Sequence, residues 1–143
     1  MSKRQVEADQ AACPLVAIGA SAGGVEALRT LFKAMPANPG IAFVVVLHLS
    51  PSHESQLVGV LQRVTSLDVV PCREGAELKR DCIYVIPPAA MVRINGKRLS
   101  VAEPSSDFER RHPVDALFQS VAEQRKADAV CIVLSGSGSN GSA

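Results

Sequence analysis

The chain contains no tryptophan, one tyrosine and four phenylalanines. At 3% aromatic residues there is almost no platform on which bases could stack, which argues against single-stranded nucleic acid as a partner. Charge of one sign is missing too: 15 basic and 14 acidic residues leave a net charge of +1. That balance removes the electrostatic argument for nucleic acid or for an anionic membrane surface. The N-terminal MSKRQVEADQAAC is polar, without the apolar stretch of a signal peptide or a membrane anchor. The four cysteines, Cys13, Cys72, Cys82 and Cys131, form no C-x-x-C pair. They read as reduced, mostly buried thiols of a soluble cytoplasmic protein, and no metal site is expected.

Apolar residues are plentiful, 47% of 143, enough for one domain with a core of its own. Residues 1–13 read as a flexible lead-in and 14–143 as the domain. Leu15 to Ile18 is a short apolar run that ends in GASAGG, Gly19 to Gly24. Val25, Leu28, Leu31, Phe32 and Met35 then recur at helical spacing, and Pro36 and Pro39 stop that helix. Ile41 to Leu49 is a Val-rich run of the kind found in a strand covered on both faces. Pro51, Ser52 and Glu54 open a second helix carried by Leu57, Val58, Val60, Leu61 and Val64. Strand, helix, strand, helix predicts βαβ units with right-handed crossovers.

Strands are predicted around Leu67 to Pro71 and Ile83 to Ile86. Asn95-Gly96, inside Met91 to Val101, predicts a hairpin with a type I′ turn. Glu103 to Arg111 is charged and reads as a surface loop. Pro113 suits the first position of a helix that buries Val114, Leu117, Phe118, Val121 and Ala122. Ala129 to Leu134 is a further buried strand that runs into SGSGSNGSA. A strand and a glycine-rich turn normally feed a helix, so this ending reads as a C-terminally truncated domain with an uncovered sheet edge. The fold class is therefore α/β, a Rossmann-like, mostly parallel sheet with helices on both faces and one hairpin excursion.

Gly19-Ala20-Ser21-Ala22-Gly23 matches G-x-S-x-G between a predicted strand and a predicted helix, the setting of a nucleophile elbow. There a tight, strained turn lifts the Ser21 hydroxyl out at the C-terminal edge of the sheet. Backbone N–H groups at the following helix start can stabilise an oxyanion. Two other readings stand beside it. One is a dinucleotide-type phosphate loop, against which Ser21 replaces the middle glycine and no carboxylate closes the second strand. The other is a purely structural turn.

His48 follows Phe43-Val44-Val45-Val46-Leu47 and emerges at the end of the neighbouring strand. One crossover brings it to the crevice of Ser21, where an imidazole can take the hydroxyl proton. His53 and His112 lie in helix-start contexts and are weaker candidates. The third strand end, Leu134 to Gly141, has glycines that could turn N–H groups toward the crevice, or forms a plain tail.

These segments together resemble the catalytic domain of the chemotaxis protein-glutamate methylesterases, the CheB type, particularly the version fused to a methyltransferase. AIGASAGGVEAL, FVVVLHLSPSHES, YVIPP, RRHPVDALFQSVAE and VLSGSGSNG carry the resemblance, from Val16 to Gly141. It implies Ser21 as nucleophile and His48 as base. The family's triad aspartate, in a Gly-x-Gly-x-Asp-Gly loop, falls on Asn140, so the chain departs from the pattern at a catalytic position. Asp115 and Glu103 are possible carboxylate substitutes without a family role. The stretch before Ser21 is too short for the phosphoacceptor receiver domain of the two-domain chemotaxis enzymes.

The implied reaction is hydrolysis of γ-glutamyl methyl esters on the cytoplasmic helices of methylated chemoreceptors, with methanol released. No cofactor or metal, no nucleic acid and no membrane insertion are implied, and a methyltransferase domain or protein is an implied partner. Two alternatives remain: a non-catalytic module that docks receptor helices or a methyltransferase, and a nucleotide-binding α/β protein.

Overall fold

A computed structural model describes residues 13–48, 56–125 and 128–134. Strand β1 (Leu15–Ser21) runs through a 3-10 turn (Ala22–Gly24) into helix α1 (Val25–Lys33). Then come β2 (Ala42–His48), α2 (Leu57–Gln62), β3 (Asp68–Pro71) and β4 (Cys82–Val85). The hairpin β5 (Met91–Asn95) and β6 (Arg98–Ala102) precedes α3 (Asp107–Arg111), α4 (Pro113–Gln124) and β7 (Ala129–Leu134). Five parallel strands form one sheet in the order β3-β4-β2-β1-β7, and the hairpin is a separate two-stranded sheet. The predicted α/β class with helices on both faces holds.

Strand alternation sorts the core into two layers. Ile18, Ala20, Phe43, Val45, Leu47 and Ile83 bury one face against Leu28 and Phe32 of α1 and Leu57 and Leu61 of α2. Phe32 meets Phe43 edge to face, ring centroids 5.2 Å apart. Leu15, Ala17, Val44, Val46 and Tyr84 bury the other face against Leu117 and Val121 of α4 and Val92, Ile94 and Leu99 of the hairpin. Ser120 of α4 joins the two, its Oγ accepting from Ile94 N at 2.9 Å.

Helix α4 lies antiparallel to β1. Its far end is tied to the foot of the strand by Arg125, whose Nη1 donates to Cys13 O at 2.8 Å. Its near end touches the upper part of β1, where a Cβ on Gly19 would come within 2.4 Å of Val114 Cγ1. Gly19 therefore has to be glycine for the helix to sit this close. Cys13, counted with the lead-in by sequence, is buried in this layer.

Four expectations need correction. The hairpin closes on the pair Asn95 and Arg98, so Gly96 and Lys97 are its central residues. Of these only Gly96 has a positive φ, 63°, the pattern of a type II′ turn rather than type I′. The charged stretch holds helix α3, because Ser106 caps it by accepting from Glu109 N at 3.1 Å. Ser-x-x-Glu at positions 106–109 is the capping-box signal for that helix start. Ala122 of α4, expected on its buried face, is exposed. Cys131 is exposed rather than buried, because β7 is an edge strand among the described residues.

Candidate functional site

Ser21 is the last residue of β1 and is exposed. Alternation puts it on the face of Leu15, Ala17 and Gly19, toward α4. Its backbone, φ −84° and ψ 175°, is ordinary extended chain. The strained elbow expected from G-x-S-x-G is therefore absent: the strand simply ends and a 3-10 turn follows, so the turn needs no forbidden φ at the serine. Ser21 still stands where a helix begins, as the residue that precedes the 3-10 turn.

Ser21 and His48 are register partners, the last pair of the β1–β2 ladder. Adjacent strands lie about 4.8 Å apart, so the two backbones are neighbours at the C-terminal edge. On its other side β1 pairs with β7, up to Ala20 opposite Leu134. The chain thus leaves β1 toward β2 and returns beside it as β7. That reversal is a topological switch point, the place where open α/β sheets bind ligands.

Gly24 holds the elements of this edge together. A Cβ there would stand 2.9 Å from Ala20 Cβ and 2.9 Å from the backbone carbonyl oxygen of Leu134. The turn after Ser21 therefore touches the end of β7, from which residues 135–141 continue. Asn140, that whole loop and His53 lie outside the described residues. Beyond β4, the strand on the other side of β2, Ala89 holds a left-handed φ of 55°. Nothing in the sequence marks this position, since alanine is not a residue that favours such a φ.

The remaining candidates separate. His112 is the N-cap residue of α4, and Asp115 is in that helix's first turn. Glu103 is exposed between β6 and α3. No group of three or more His, Cys, Asp or Glu among the described residues could hold a metal ion. Cys72 is a poor nucleophile, since burial pushes its thiol up to about 12. Burial raises Cys82 as well. Among the described residues no helix is long and apolar enough to cross a membrane.

A protein-glutamate methylesterase/protein-glutamine glutaminase of Xanthomonas oryzae pv. oryzae is 37% identical over 131 residues, 89% of this chain and 36% of that relative. One from Pseudomonas aeruginosa is 36% identical over 129 residues, 89% of this chain and 38% of its own. The chain thus spans little more than a third of the length of these relatives. The crystal structure of the Thermotoga maritima CheB methylesterase catalytic domain superposes with a TM-score of 0.71 at 23% identity, over 84% of this chain and 66% of that one. At that identity the likeness shows the fold. The sequence profile described as CheB methylesterase matches residues 16–143, nearly the whole length, and so the chain belongs to the CheB methylesterase family.

Proposed function

We propose that this domain hydrolyses γ-glutamyl methyl esters of proteins, with Ser21 as nucleophile and His48 as its base. One observation carries the reading: the pairing of Ser21 with His48 at the last rung of β1 and β2, beside a helix start. The names of the relatives, protein-glutamate methylesterase/protein-glutamine glutaminase, supply the substrate class. The substrates are methylated chemoreceptor helices, and a methyltransferase domain or protein is the natural counterpart.

Ser21 Oγ attacks the ester carbonyl while His48 takes its proton. Backbone N–H groups of the turn after Ser21 hold the oxyanion. Collapse breaks the bond to the methoxy oxygen, which leaves as methanol with the proton from the imidazolium. Water then attacks the acyl-enzyme, His48 again taking the proton. The second collapse frees Ser21 and leaves a glutamate carboxylate. With a glutamine side chain the same steps release ammonia.

Asn140 stands at the family's aspartate position. An amide oxygen can orient an imidazole but cannot stabilise the imidazolium by charge. In a serine triad that exchange lowers the rate about 10⁴-fold, about 5.5 kcal/mol of barrier. The domain is therefore a slow esterase. The same residue favours a second reading, a non-catalytic module that docks receptor helices or a methyltransferase.

A fluorophosphonate probe separates the two. The esterase gains one adduct, found on the peptide that contains Ser21 and absent after Ser21→Ala. A chain that remains unlabelled at Ser21 under prolonged exposure is the docking module.

A further inference from the structure

We infer that the chain's two Asn-Gly dipeptides have opposite fates: the fold keeps Asn95 an amide, while Asn140 loses its amide spontaneously and becomes an acid. The conversion turns the slow esterase into a faster one as the protein ages. That consequence for activity rests on the esterase reading above; the conversion itself does not.

Spontaneous deamidation needs an asparagine whose following backbone nitrogen can attack its side chain. The chain has three asparagines, Asn38, Asn95 and Asn140. Asn38 precedes Pro39, whose nitrogen has no hydrogen to give up. Asn95 and Asn140 both precede glycine, which has no Cβ to crowd the attacking nitrogen.

The structure removes Asn95. Its side chain has water around it, for the residue is exposed, so solvent is not what protects it. Asn95 ends β5, paired with Arg98 across the turn. Gly96 N, the nitrogen that would have to attack, donates to Gln124 Oε1 at 2.9 Å. Gly96 O accepts from Arg125 Nη2 at 3.3 Å, and Arg125 is itself buried and donates through Nη1 to Cys13 O at 2.8 Å. The end of α4 therefore holds Gly96 at both its N–H and its carbonyl. Asn140, in SGSGSNGSA, has only serine, glycine and alanine around it in sequence.

At Asn140 the Gly141 nitrogen bonds to the side-chain carbon Cγ, the Cγ–Nδ2 bond breaks, and ammonia leaves with the proton of that nitrogen. Water then opens the succinimide. Attack at Cγ breaks its bond to Gly141 N and yields aspartate; attack at the backbone carbonyl carbon yields isoaspartate. Only the first restores a carboxylate on an ordinary backbone at the family's aspartate position. An asparagine there slows a serine triad about 10⁴-fold, so aspartate in about 1 chain in 100 multiplies the rate about 100-fold.

The test follows freshly purified 143-residue chain over days in mildly alkaline buffer. Peptide mapping that separates asparagine, aspartate and isoaspartate is run beside methanol release from a glutamyl methyl ester peptide. Both acids should accumulate at position 140 while Asn95 stays intact, and in urea both dipeptides should convert. Gln124→Ala should open Asn95, and Gln124→Glu, which keeps an accepting oxygen, should not. Gly141→Val should slow conversion of Asn140 about tenfold or more, since a branched side chain crowds the nitrogen. Ser21→Ala should convert at the parent's rate, because the reaction needs no active site. Asn140 that stays intact, or Asn95 that converts as fast in the folded parent, overturns the inference. So does a flat methanol rate while aspartate accumulates, if Asn140→Asp made directly is fast. Failure of the esterase reading is distinct: Asn140→Asp is then no faster than the parent, and the mapping alone decides the fates of the two dipeptides.

Discussion

Ser21 and His48 are register partners in the final rung of the parallel ladder between β1 and β2. Neither position is fixed by local turn chemistry. Both are delivered by apolar runs of equal length: each strand has seven residues, and the two begin opposite one another at Leu15 and Ala42. Burial of Ala17, Val44 and Val46 on one face and Ile18, Val45 and Leu47 on the other locks that register. A slip by one residue would turn every one of these side chains to the wrong layer. The candidate site is thus a consequence of core packing.

Gly24 should tolerate no side chain. Its Cβ would meet a backbone carbonyl, that of Leu134, which cannot rotate away. Gly24→Ala is expected to lose about 1–3 kcal/mol in urea unfolding. Ester hydrolysis measured below the transition should fall as well, because the end of β7 must shift. Parent-like stability would show that the contact is not close.

Ala89 stores strain at the same edge. A left-handed φ of 55° costs a residue with a Cβ about 1 kcal/mol or more. Ala89→Gly relieves it but frees the unfolded chain, so a net gain of about 0.5 kcal/mol is expected. Ala89→Val should lose stability, and urea midpoints for the three proteins decide the order. Ala89→Gly falling below the parent would remove strain from the account.

Glu109 makes part of the anchoring of α3 depend on pH. Its carboxyl is held below the usual range, first by the Ser105 N–H at 3.1 Å and then by Arg93. A depressed folded pKa gives stability that is present above the unfolded value, about 4.3, and is lost as pH falls through the folded value. Thermal melts between pH 3 and 7 should show the gap between parent and Glu109→Gln closing in acid. A gap independent of pH would contradict the assignment.

Most of the sheet was legible because its strands are continuous apolar runs between glycine and proline signals. The helix α4 announced itself through Pro113 and the spacing of Leu117 and Val121. What escaped was set by residues distant in sequence. Glycine at position 96 could have served either primed turn, and pairing of Asn95 with Arg98 decided it. Cys131 lies in an apolar run, as a buried strand would, yet β7 has its free edge toward solvent among the described residues, with Val133 68% exposed. The opposite edge, β3, is short and carries Asp68 and Pro71, the usual protection of an edge strand. At the candidate site, the positions of Ser21 and His48 at adjacent strand ends were readable, whereas the close contact of Gly24 and the left-handed φ of Ala89 depend on packing and dihedrals that no local pattern encodes.

Methanol release from a glutamyl methyl ester peptide tests the central claim most directly, measured for four proteins: the parent, Asn140→Asp, Ser21→Ala and the double variant. A carboxylate at position 140 would accept the imidazole Nδ1–H of His48 and stabilise its cation as Ser21 attacks. Asn140→Asp should therefore raise the rate by orders of magnitude when Ser21 is present and by nothing when it is alanine, since a triad acts as a unit. Equal rates for the parent and Ser21→Ala, with Asn140→Asp no faster in either background, would contradict the assignment of Ser21 as the nucleophile.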